Sequence, residues 1–332
     1  MLGLGGEGLK FRGALKGDLE RERLFREGGG GERHEQQIYS HWAHDSVSSR
    51  RIEQETLLYL EIADTLSPQM GAQARYSQKL AARIAVTGSN LCVGLDPRIE
   101  QHGGEIGQVE AFLDRVIEAT LAKTAVYKPN SAYFEAMGPD GIALLKRVIA
   151  RVPEGVPVIL DAKRSDIGET QRRYAQACYE VLGADAVTLN PFMGYDSLEP
   201  FLDFEGKGIY LLAVTSNPGS ADLQRREAEG RKIFEYVGEF ASRAAEEVRA
   251  TDVGLVVGLT NAEEDVIAGL PDVPLLIPGL GAQGGDLSAL KGTGREAPNV
   301  VNVSRGVIYG DVADSIGGCA EHYSDEIAAA LA

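Results

Sequence analysis

The chain has 332 residues, of which 44% are hydrophobic, and its formal net charge is −16. This length and composition are typical of a globular protein with one large domain or two ordinary ones. The negative charge argues against a nucleic-acid partner, because binding to a phosphate backbone requires a basic face. No apolar run approaches the roughly 18–20 residues of a membrane span, and residues 1–16 lack the apolar core of a secretory signal. The sequence therefore predicts a cytoplasmic protein that binds neither nucleic acid nor membrane.

The few cysteines and histidines limit the possible metal and redox chemistry. Cys92, Cys178 and Cys319 have no CxxC spacing, so neither a disulfide framework nor a zinc site is indicated, in agreement with a reducing cytoplasm. His41 and His44 are three residues apart, and one helical turn could present both to a metal. Because no further ligand cluster accompanies them, we interpret this stretch as a solvated segment and predict no metal site.

Residues 1–75 differ in composition from the rest of the chain. They contain "GGGGER", many arginines and glutamates, and few periodic apolar positions. Residues 52–66 have a helical pattern, which Ser67-Pro68 ends. We predict that residues 1–75 are an irregular N-terminal extension and that its first 69 residues are dispensable for catalysis, with Met70 as a possible alternative start. The competing hypothesis is that the extension is a docking segment.

From Tyr76 onward, apolar runs alternate with helical stretches. "YSQKLAARIAVTG" is an amphipathic lead-in helix, and residues 139–152 place Ile142, Leu145, Val148, Ile149 and Val152 on one helical face. A later helix begins near the capping residue Asn261. The eight apolar runs, in chain order, are "LCVGLDP", "AVYKPN", "PVILDAK", "AVTLN", "GIYLLAVTS", "VGLVVGLT", "PLLIPGLG" and "NVVNVSRG".

This alternation predicts an α/β fold with a parallel sheet, because near-continuous apolar strands are buried on both faces by helices. Eight strand–helix units within residues 76–332 match a single (β/α)₈ TIM barrel. The structural alternative is a doubly wound open sheet. Such sheets usually have five or six strands and a GxGxxG turn after the first strand, and "CVGLDP" is not such a turn.

Polar residues follow or end nearly every predicted strand. In a (β/α)₈ barrel these carboxyl ends form one rim, where the active site lies. Helix caps would explain one or two such residues, but not two lysines and two aspartates that converge on one rim. The strand-end residues are Asp96, Lys128, Asp161, Lys163, Asn190, Ser216, Thr260, Ser304 and Arg305.

The stretch "VILDAKRSDIGET" concentrates opposite charges where the third strand ends. In a regular strand Asp161 and Lys163 are two residues apart and point the same way, into the barrel mouth. Asp166 comes after the strand, so its side chain is free to turn elsewhere. A carboxylate between ammonium groups keeps all of them ionised in a partly desolvated pocket. The stretch therefore predicts a fixed, preorganised electric field.

A second group of residues predicts a phosphate site. "PGLGAQGGD", from Pro278 to Asp286, is glycine-rich, so its backbone can approach a ligand closely and its N–H groups can bind an anion. The loops after strands seven and eight often bind phosphate in this fold. Arg305 adds a forked cationic donor after strand eight. The expected ligand is a small phosphorylated molecule.

Six motifs together resemble the orotidine 5′-phosphate decarboxylase family, particularly its bacterial branch with a "DAKR-DIG-T" signature. They are "LCVGLDP", "YKPN", "DAKRSDIGET", "TSNPG", "PGLGAQGGD" and "VNVSRGVIY", in the family's order from about Tyr76 to the C-terminus. DxKxxD alone is only moderately specific, but the six motifs together are highly specific. The departures, Ser165, Glu169 and Ala213-Val214, touch no charged catalytic position.

The resemblance implies removal of CO₂ from orotidine 5′-monophosphate to give UMP, without metal or organic cofactor, by a homodimer with shared active sites. It implies that Lys163 protonates C6 of the pyrimidine and that Asp161 lies beside the departing carboxylate. Asp166 would enter the partner subunit's site. The implied catalytic residues are Lys128, Asp161, Lys163 and Asp166. The implied substrate-binding residues are Asp96, Lys128, Asp166 and Thr170 at the ribose, Ser216 at the pyrimidine, Gln283 and Arg305 at the phosphate, and also Ile167, Pro278 and Ser304.

Two alternatives remain open at this point. Metal-dependent sugar-phosphate lyases and decarboxylases share the DxKxxD pattern and the barrel, but they need a carboxylate ligand where this chain has Lys128. A non-catalytic nucleotide-binding barrel would be expected to carry damage among the four charged residues, and this sequence carries none.

Overall fold

The computed structural model describes residues 74–258, 264–278, 287–291 and 293–332. Helix α1 (Tyr76–Thr87) comes first, at the position predicted for the lead-in helix. The barrel strands are β1 (Leu91–Leu95), β2 (Val126–Pro129), β3 (Ile159–Arg164), β4 (Ala186–Leu189), β5 (Gly208–Val214), β8 (Asp252–Val257), β9 (Leu275–Pro278) and β10 (Asn299–Val303). A short antiparallel hairpin, β6 (Glu227–Ala228) and β7 (Arg231–Lys232), lies between β5 and the next long helix.

The eight long strands form one parallel sheet in the order β2-β1-β10-β9-β8-β5-β4-β3. Isolated parallel bridges Tyr127–Val158 and Asn130–Asp161 join β2 to β3 and bring the two ends of the sheet together. The predicted (β/α)₈ barrel is therefore confirmed, and the open doubly wound sheet is not formed. Every residue of β1 and β8 is buried, as expected for parallel strands covered on both faces.

Helices pack around the outside of the sheet. After α1 they are α2 (Ile106–Thr120), α3 (Ser131–Glu135), α4 (Gly138–Arg151), α5 (Gly168–Gln176), α6 (Glu199–Leu202), α7 (Ser220–Leu223), α8 (Ile233–Glu246), α9 (Glu264–Ala268), α10 (Arg305–Ile308) and α11 (Ile316–Leu331). A π-helical turn, Ala177–Val181, continues α5.

The buried face of α4 differs by about one residue from the predicted face. Ile142 is 39% exposed, and Val152 follows the end of the helix with an extended backbone. The residues that face the core are Gly141, Leu144, Leu145, Val148 and Ile149. Gly141 lies against the backbone of Phe134, where there is no room for a side chain. A hydrophobic pattern does not indicate that a glycine belongs to the buried face of a helix.

Helix α1 closes the amino-terminal end of the barrel. Its Tyr76 is buried, and the Tyr76 hydroxyl lies 3.2 Å from that of Tyr210, a residue of β5 that points into the barrel. The two rings meet edge to face, with centroids 6.0 Å apart. Gly208 makes room for this contact, since a Cβ there would lie 2.6 Å from the Tyr76 ring. Arg75 strengthens the closure through an ion pair of 2.5 Å with Asp252 at the start of β8.

Several predictions concern residues outside the described part of the chain. They are the helix over residues 52–66, the His41–His44 pair, the capping residue Asn261, and the strand-end residue Thr260. Within the described ranges, no group of three or more His, Cys, Asp or Glu side chains could hold a metal ion. No helix in those ranges is long and apolar enough to span a membrane.

The contacts of Arg75 and Tyr76 generate a prediction about the N-terminal extension. A chain that starts at Met70 keeps both residues and should unfold in urea with the same midpoint as the full chain. A chain that starts at Ser77 loses the buried Tyr76 ring and should be less stable by about 3–5 kcal/mol, the usual effect of deleting a buried aromatic side chain. An insoluble or destabilised Met70 chain would show instead that residues 1–69 contribute to the stability of the barrel.

Candidate active site

Three charged side chains meet at the carboxyl rim where β2 and β3 come together. Lys128 Nζ lies 2.8 Å from Asp161 Oδ2, and Lys163 Nζ lies 2.5 Å from Asp161 Oδ1. The bridge between Asn130 and Asp161 aligns the two strand ends, which brings Lys128 to Asp161. Lys128 is only 4% exposed and Asp161 9%, whereas the Lys163 side chain is 48% exposed. The cluster therefore consists of a buried ion pair, Lys128 with Asp161, and one partly exposed ammonium group, that of Lys163, at the rim.

Lys163 reaches Asp161 through an irregularity in β3. The prediction that Asp161 and Lys163 point the same way assumed a regular strand. In the structure β3 is not regular there, because its register with β4 shifts between Leu160 and Arg164. Lys163 has a φ of 47°, in the left-handed region. For a residue with a side chain this backbone conformation costs of order 1–3 kcal/mol, and it is found most often at functional sites. The bulge directs the Lys163 side chain back toward Asp161.

Thr188 on β4 is a site residue that the sequence analysis missed. It is 1% exposed, and its hydroxyl donates to Asp161 Oδ1 at 3.0 Å. The same hydroxyl accepts from the backbone N–H of Lys163 at 2.9 Å. Two features of the sequence could have indicated Thr188. It is a polar residue inside the apolar run "AVTLN", and its inward-facing position lies next to β3, which carries Asp161 and Lys163. Asn190 follows the end of β4 as predicted, and its side chain caps the next turn by accepting a hydrogen bond from the Phe192 N–H.

The two buried partners hold each other in their charged forms. Burial alone would lower the pKa of Lys128, but the negative charges of Asp161 and Asp96 outweigh burial and raise it. Burial alone would raise the pKa of Asp161, but Lys128 and Lys163 outweigh burial and hold it well below its usual range. Both groups therefore stay ionised across neutral pH.

Asp96 and Ser304 lie at the neighbouring rim positions after β1 and β10. Asp96 is 8% exposed, and its Oδ1 is buried without a hydrogen-bond partner among the described residues; the same holds for Ser304 Oγ. Gly94 allows the two strand ends to approach, because a Cβ there would lie 2.4 Å from Ser304 Cβ. Buried polar atoms without partners are costly, so these two oxygens are suited to contacts with a bound ligand.

Other predicted residues lie on the same rim without joining the charged cluster. Asp166 follows the end of β3 and accepts a hydrogen bond from the N–H of Ile167, at 2.8 Å. Its carboxylate forms no ion pair with any residue in the described ranges. Ile167 is 59% exposed, and Thr170 is also exposed. The chain by itself thus brings together Lys128, Asp161 and Lys163, but not Asp166.

The predicted phosphate and pyrimidine residues are placed only in part. Ser216 follows β5, where Gly258 packs on its backbone, and Pro278 ends β9 half-buried. Arg305 is exposed at the first position of α10 and forms no ion pair with the part of the chain that the structure describes. Gln283 and the rest of the glycine-rich loop, 279–286, lie outside the described residues.

The model of the "Orotidine 5′-phosphate decarboxylase / HUMPS family" matches residues 89–311, from before β1 to just beyond α10. The chain belongs to this family. Similar curated proteins are the orotidine 5′-phosphate decarboxylases of Herpetosiphon aurantiacus and Roseiflexus castenholzii. The first is 41% identical over 70% of this chain and 89% of its own length, and the second is 46% identical over 67% and 85%. The solved structure of Leishmania donovani OMP decarboxylase is 36% identical, with a TM-score of 0.67 over 77% of this chain and 98% of that chain.

The pairing of Lys128 with Asp161 generates a stability prediction for this member of the family. Asp161→Asn leaves Lys128 buried without its nearest carboxylate, so at pH 7 the variant should lose about 3–5 kcal/mol in the free energy of unfolding. The deficit should shrink as the pH rises toward 10, because an unpaired buried lysine has a lowered pKa and releases its proton.

Urea unfolding at several pH values measures this deficit. In the wild type, the lowered pKa of Asp161 makes its contribution fully present above about pH 4 and lost in stronger acid, so its loss does not overlap the pH range of the comparison. Asp314→Asn removes an exposed carboxylate and should change stability by less than about 0.5 kcal/mol. Equal stability of Asp161→Asn and wild type at pH 7 would contradict the charged pairing.

Proposed function

We propose that the protein decarboxylates orotidine 5′-monophosphate to UMP and CO₂, the last step of pyrimidine nucleotide synthesis. The observation that carries the proposal is the Lys163 ammonium group, held 2.5 Å from Asp161 at the open side of the charged cluster. Membership of the orotidine 5′-phosphate decarboxylase family supports the same reaction and substrate. The three cysteines are buried and unpaired, which supports a reducing compartment such as the cytoplasm.

The reaction needs stabilisation of negative charge on carbon. When the bond between C6 and the carboxylate breaks, its electron pair stays on C6 and CO₂ leaves. No ring position delocalises that pair, so the required lowering of the barrier is near the top of the usual enzymatic range, about 23 kcal/mol. The Lys163 ammonium stabilises the developing charge and then transfers a proton from Nζ to C6.

Asp161 has two roles in this proposal. It lies beside the departing carboxylate, where its own negative charge disfavours the bound substrate relative to the transition state, in which the substrate charge has moved toward C6. It also fixes the ammonium group of Lys163, so that little reorganisation is needed during the reaction. Lys128 on the opposite oxygen keeps Asp161 ionised in its buried position.

Residues around the charged cluster would hold the substrate. Asp96, Lys128, Asp166 and Thr170 are proposed to contact the ribose, and Ser216 the pyrimidine. Gln283 and the exposed Arg305 would bind the phosphate, and Ile167, Pro278 and Ser304 complete the pocket. Binding energy from the phosphate, which takes no part in the bond change, then helps to hold the ring against the charged cluster.

The position of Lys128 argues against a metal-dependent sugar-phosphate lyase. A divalent cation in that pocket would need a carboxylate ligand where this chain places an ammonium group, 2.8 Å from Asp161. The intact arrangement of Lys128, Asp161 and Lys163 likewise favours an enzyme over a barrel that only binds nucleotides.

Decarboxylation can be measured directly. EDTA-treated protein should reduce the absorbance of a solution of orotidine 5′-monophosphate as the substrate is converted to UMP. Lys163→Ala should lower turnover by orders of magnitude, because it removes both the stabilising charge and the proton donor.

Lys146→Ala is the matched control, since Lys146 is exposed on α4, away from the rim. It should keep wild-type turnover. A Lys163→Ala variant with a tenth or more of wild-type turnover would refute the assigned mechanism, and no conversion by wild-type protein would refute the proposed reaction.

The proposal includes a homodimer with shared active sites. Asp166 forms no ion pair within the described part of its own chain, although it belongs to the motif that supplies Asp161 and Lys163. Beside it the rim carries exposed apolar side chains after the adjacent strands β3 and β4: Ile167 at 59%, Phe192 at 75% and Met193 at 50%. Such a patch favours burial against a second subunit, which would receive Asp166 into its site.

Subunit mixing tests this arrangement. Lys163→Ala and Asp166→Asn proteins should each be nearly inactive, and after random exchange half of the dimers are hybrids. In each hybrid one site carries both changes and the other carries neither, so about a quarter of wild-type activity should return. If mass spectrometry shows hybrids while activity stays at the parental level, Asp166 acts within its own chain.

A further inference from the structure

One hydroxyl group connects the two residues of β3 that the proposed reaction depends on most. Thr188 Oγ1 lies 3.0 Å from Asp161 Oδ1 and 2.9 Å from the backbone nitrogen of Lys163. Thr188 is 1% exposed, so water does not compete for these bonds. The three residues come from two neighbouring strands, β3 and β4, at the point where their register shifts.

The bulge in β3 explains why this hydroxyl is needed. In a regular parallel pair, a backbone N–H at this position would donate to a carbonyl of β4. Between Leu160 and Arg164 the ladder is interrupted, and the Lys163 N–H donates to the Thr188 side chain instead. Thr188 therefore satisfies a backbone donor that the left-handed conformation of Lys163 takes out of the sheet.

The direction of both hydrogen bonds follows from the groups involved. A backbone N–H can only donate, so the Thr188 oxygen accepts from Lys163. The ionised carboxylate of Asp161 can only accept, so the single hydroxyl proton of Thr188 points to Oδ1. Asp161 Oδ1 thus receives two donors, the Thr188 hydroxyl and the Lys163 ammonium, while Lys128 occupies Oδ2.

We propose that Thr188 is a positioning residue for the decarboxylation, which holds the Asp161 carboxylate and the Lys163 backbone in one fixed relation. The inference rests on the proposed function, because it assigns Thr188 the task of aiming the Lys163 ammonium at the reacting carbon. Thr188 does not touch the substrate. It acts through the two residues that its hydroxyl joins.

Substitution of the hydroxyl tests this role. Thr188→Val keeps the branched shape and removes both hydrogen bonds, so kcat should fall by about 10–100-fold, the usual effect of a misplaced catalytic group. KM should change by less than about threefold, since the groups proposed to bind the phosphate and ribose are untouched. Thr188→Ser keeps the hydroxyl and should stay within about threefold of wild-type kcat.

Thr251→Val is the matched control. The buried Thr251 hydroxyl is bonded similarly, because it accepts from the Phe204 N–H and has its single proton available to a backbone carbonyl, with the oxygens of Phe201 and Phe204 both 2.8 Å away. It precedes β8 at the other end of the barrel, so its loss should lower stability and leave kcat unchanged. Thr188→Cys, with a weaker donor and acceptor, replaces Thr188→Val if the valine variant does not fold.

A second measurement does not depend on activity. Hydrogen exchange of the Lys163 backbone amide, followed by NMR, should be about tenfold faster or more in Thr188→Val than in wild type or in Thr188→Ser. If wild-type protein does not decarboxylate the substrate, the proposed function fails, and this exchange rate still shows whether the hydroxyl holds the Lys163 backbone.

Three results would overturn the proposal. The first is an unchanged kcat in Thr188→Val, whatever its Lys163 exchange rate. The second is an equal loss of kcat in Thr188→Ser, and the third is an equal loss of kcat in Thr251→Val. The second would assign the effect to packing of the side chain, and the third to general loss of stability.

Discussion

The constraint on which the proposed active site depends is that the buried carboxylate of Asp161 must remain charged. An isolated carboxylate at 9% exposure would be driven toward its neutral form, and a neutral Asp161 could not orient an ammonium group. Lys128 and Lys163 prevent this from opposite oxygens. Closure of the barrel serves the same requirement. The bridges between β2 and β3 join the two ends of the sheet, and this brings Lys128 Nζ within 2.8 Å of Asp161 Oδ2.

Stability and chemistry are separated along the barrel axis. At the amino-terminal end, Tyr76 and Tyr210 fill the interior, and Arg75 pairs with Asp252. At the carboxyl rim, the interior holds charged and unpaired polar groups, including Asp96, and a backbone conformation at Lys163 that is unfavourable by itself. A well-packed lower barrel can compensate for such local strain, which is why the bulge can persist where the proposed reaction uses it.

The fold and the charged cluster were predictable from sequence for a common reason. Apolar runs mark parallel strands, and the carboxyl ends of parallel strands share one rim, so Lys128 and Asp161 had to lie near each other. The bulge was not predictable, because a period of two along β3 gives no sign of a register shift between β3 and β4. Thr188 was missed for the same reason, since a lone threonine in an apolar strand is typical of a satisfied core residue. The buried face of α4 was predicted correctly at Leu145, Val148 and Ile149, but its edge was not, because Gly141 makes a close contact that a hydrophobic pattern does not indicate.

The overall charge of the chain sets a further condition on ligand binding. A net charge of −16 repels a phosphorylated substrate at long range, but at physiological ionic strength such repulsion is screened beyond about 8 Å. Attraction must therefore come from groups at the rim itself. Lys163 and Arg305 are exposed there, whereas Lys128 is buried and matched to Asp161. We therefore expect the two exposed cations to attract the phosphate of the incoming substrate. The buried Lys128 keeps the Asp161 carboxylate ionised and, in the proposed complex, contacts only the ribose. In the proposed mechanism, this division of the positive charges lets an anion approach the rim while the internal field around Asp161 stays fixed.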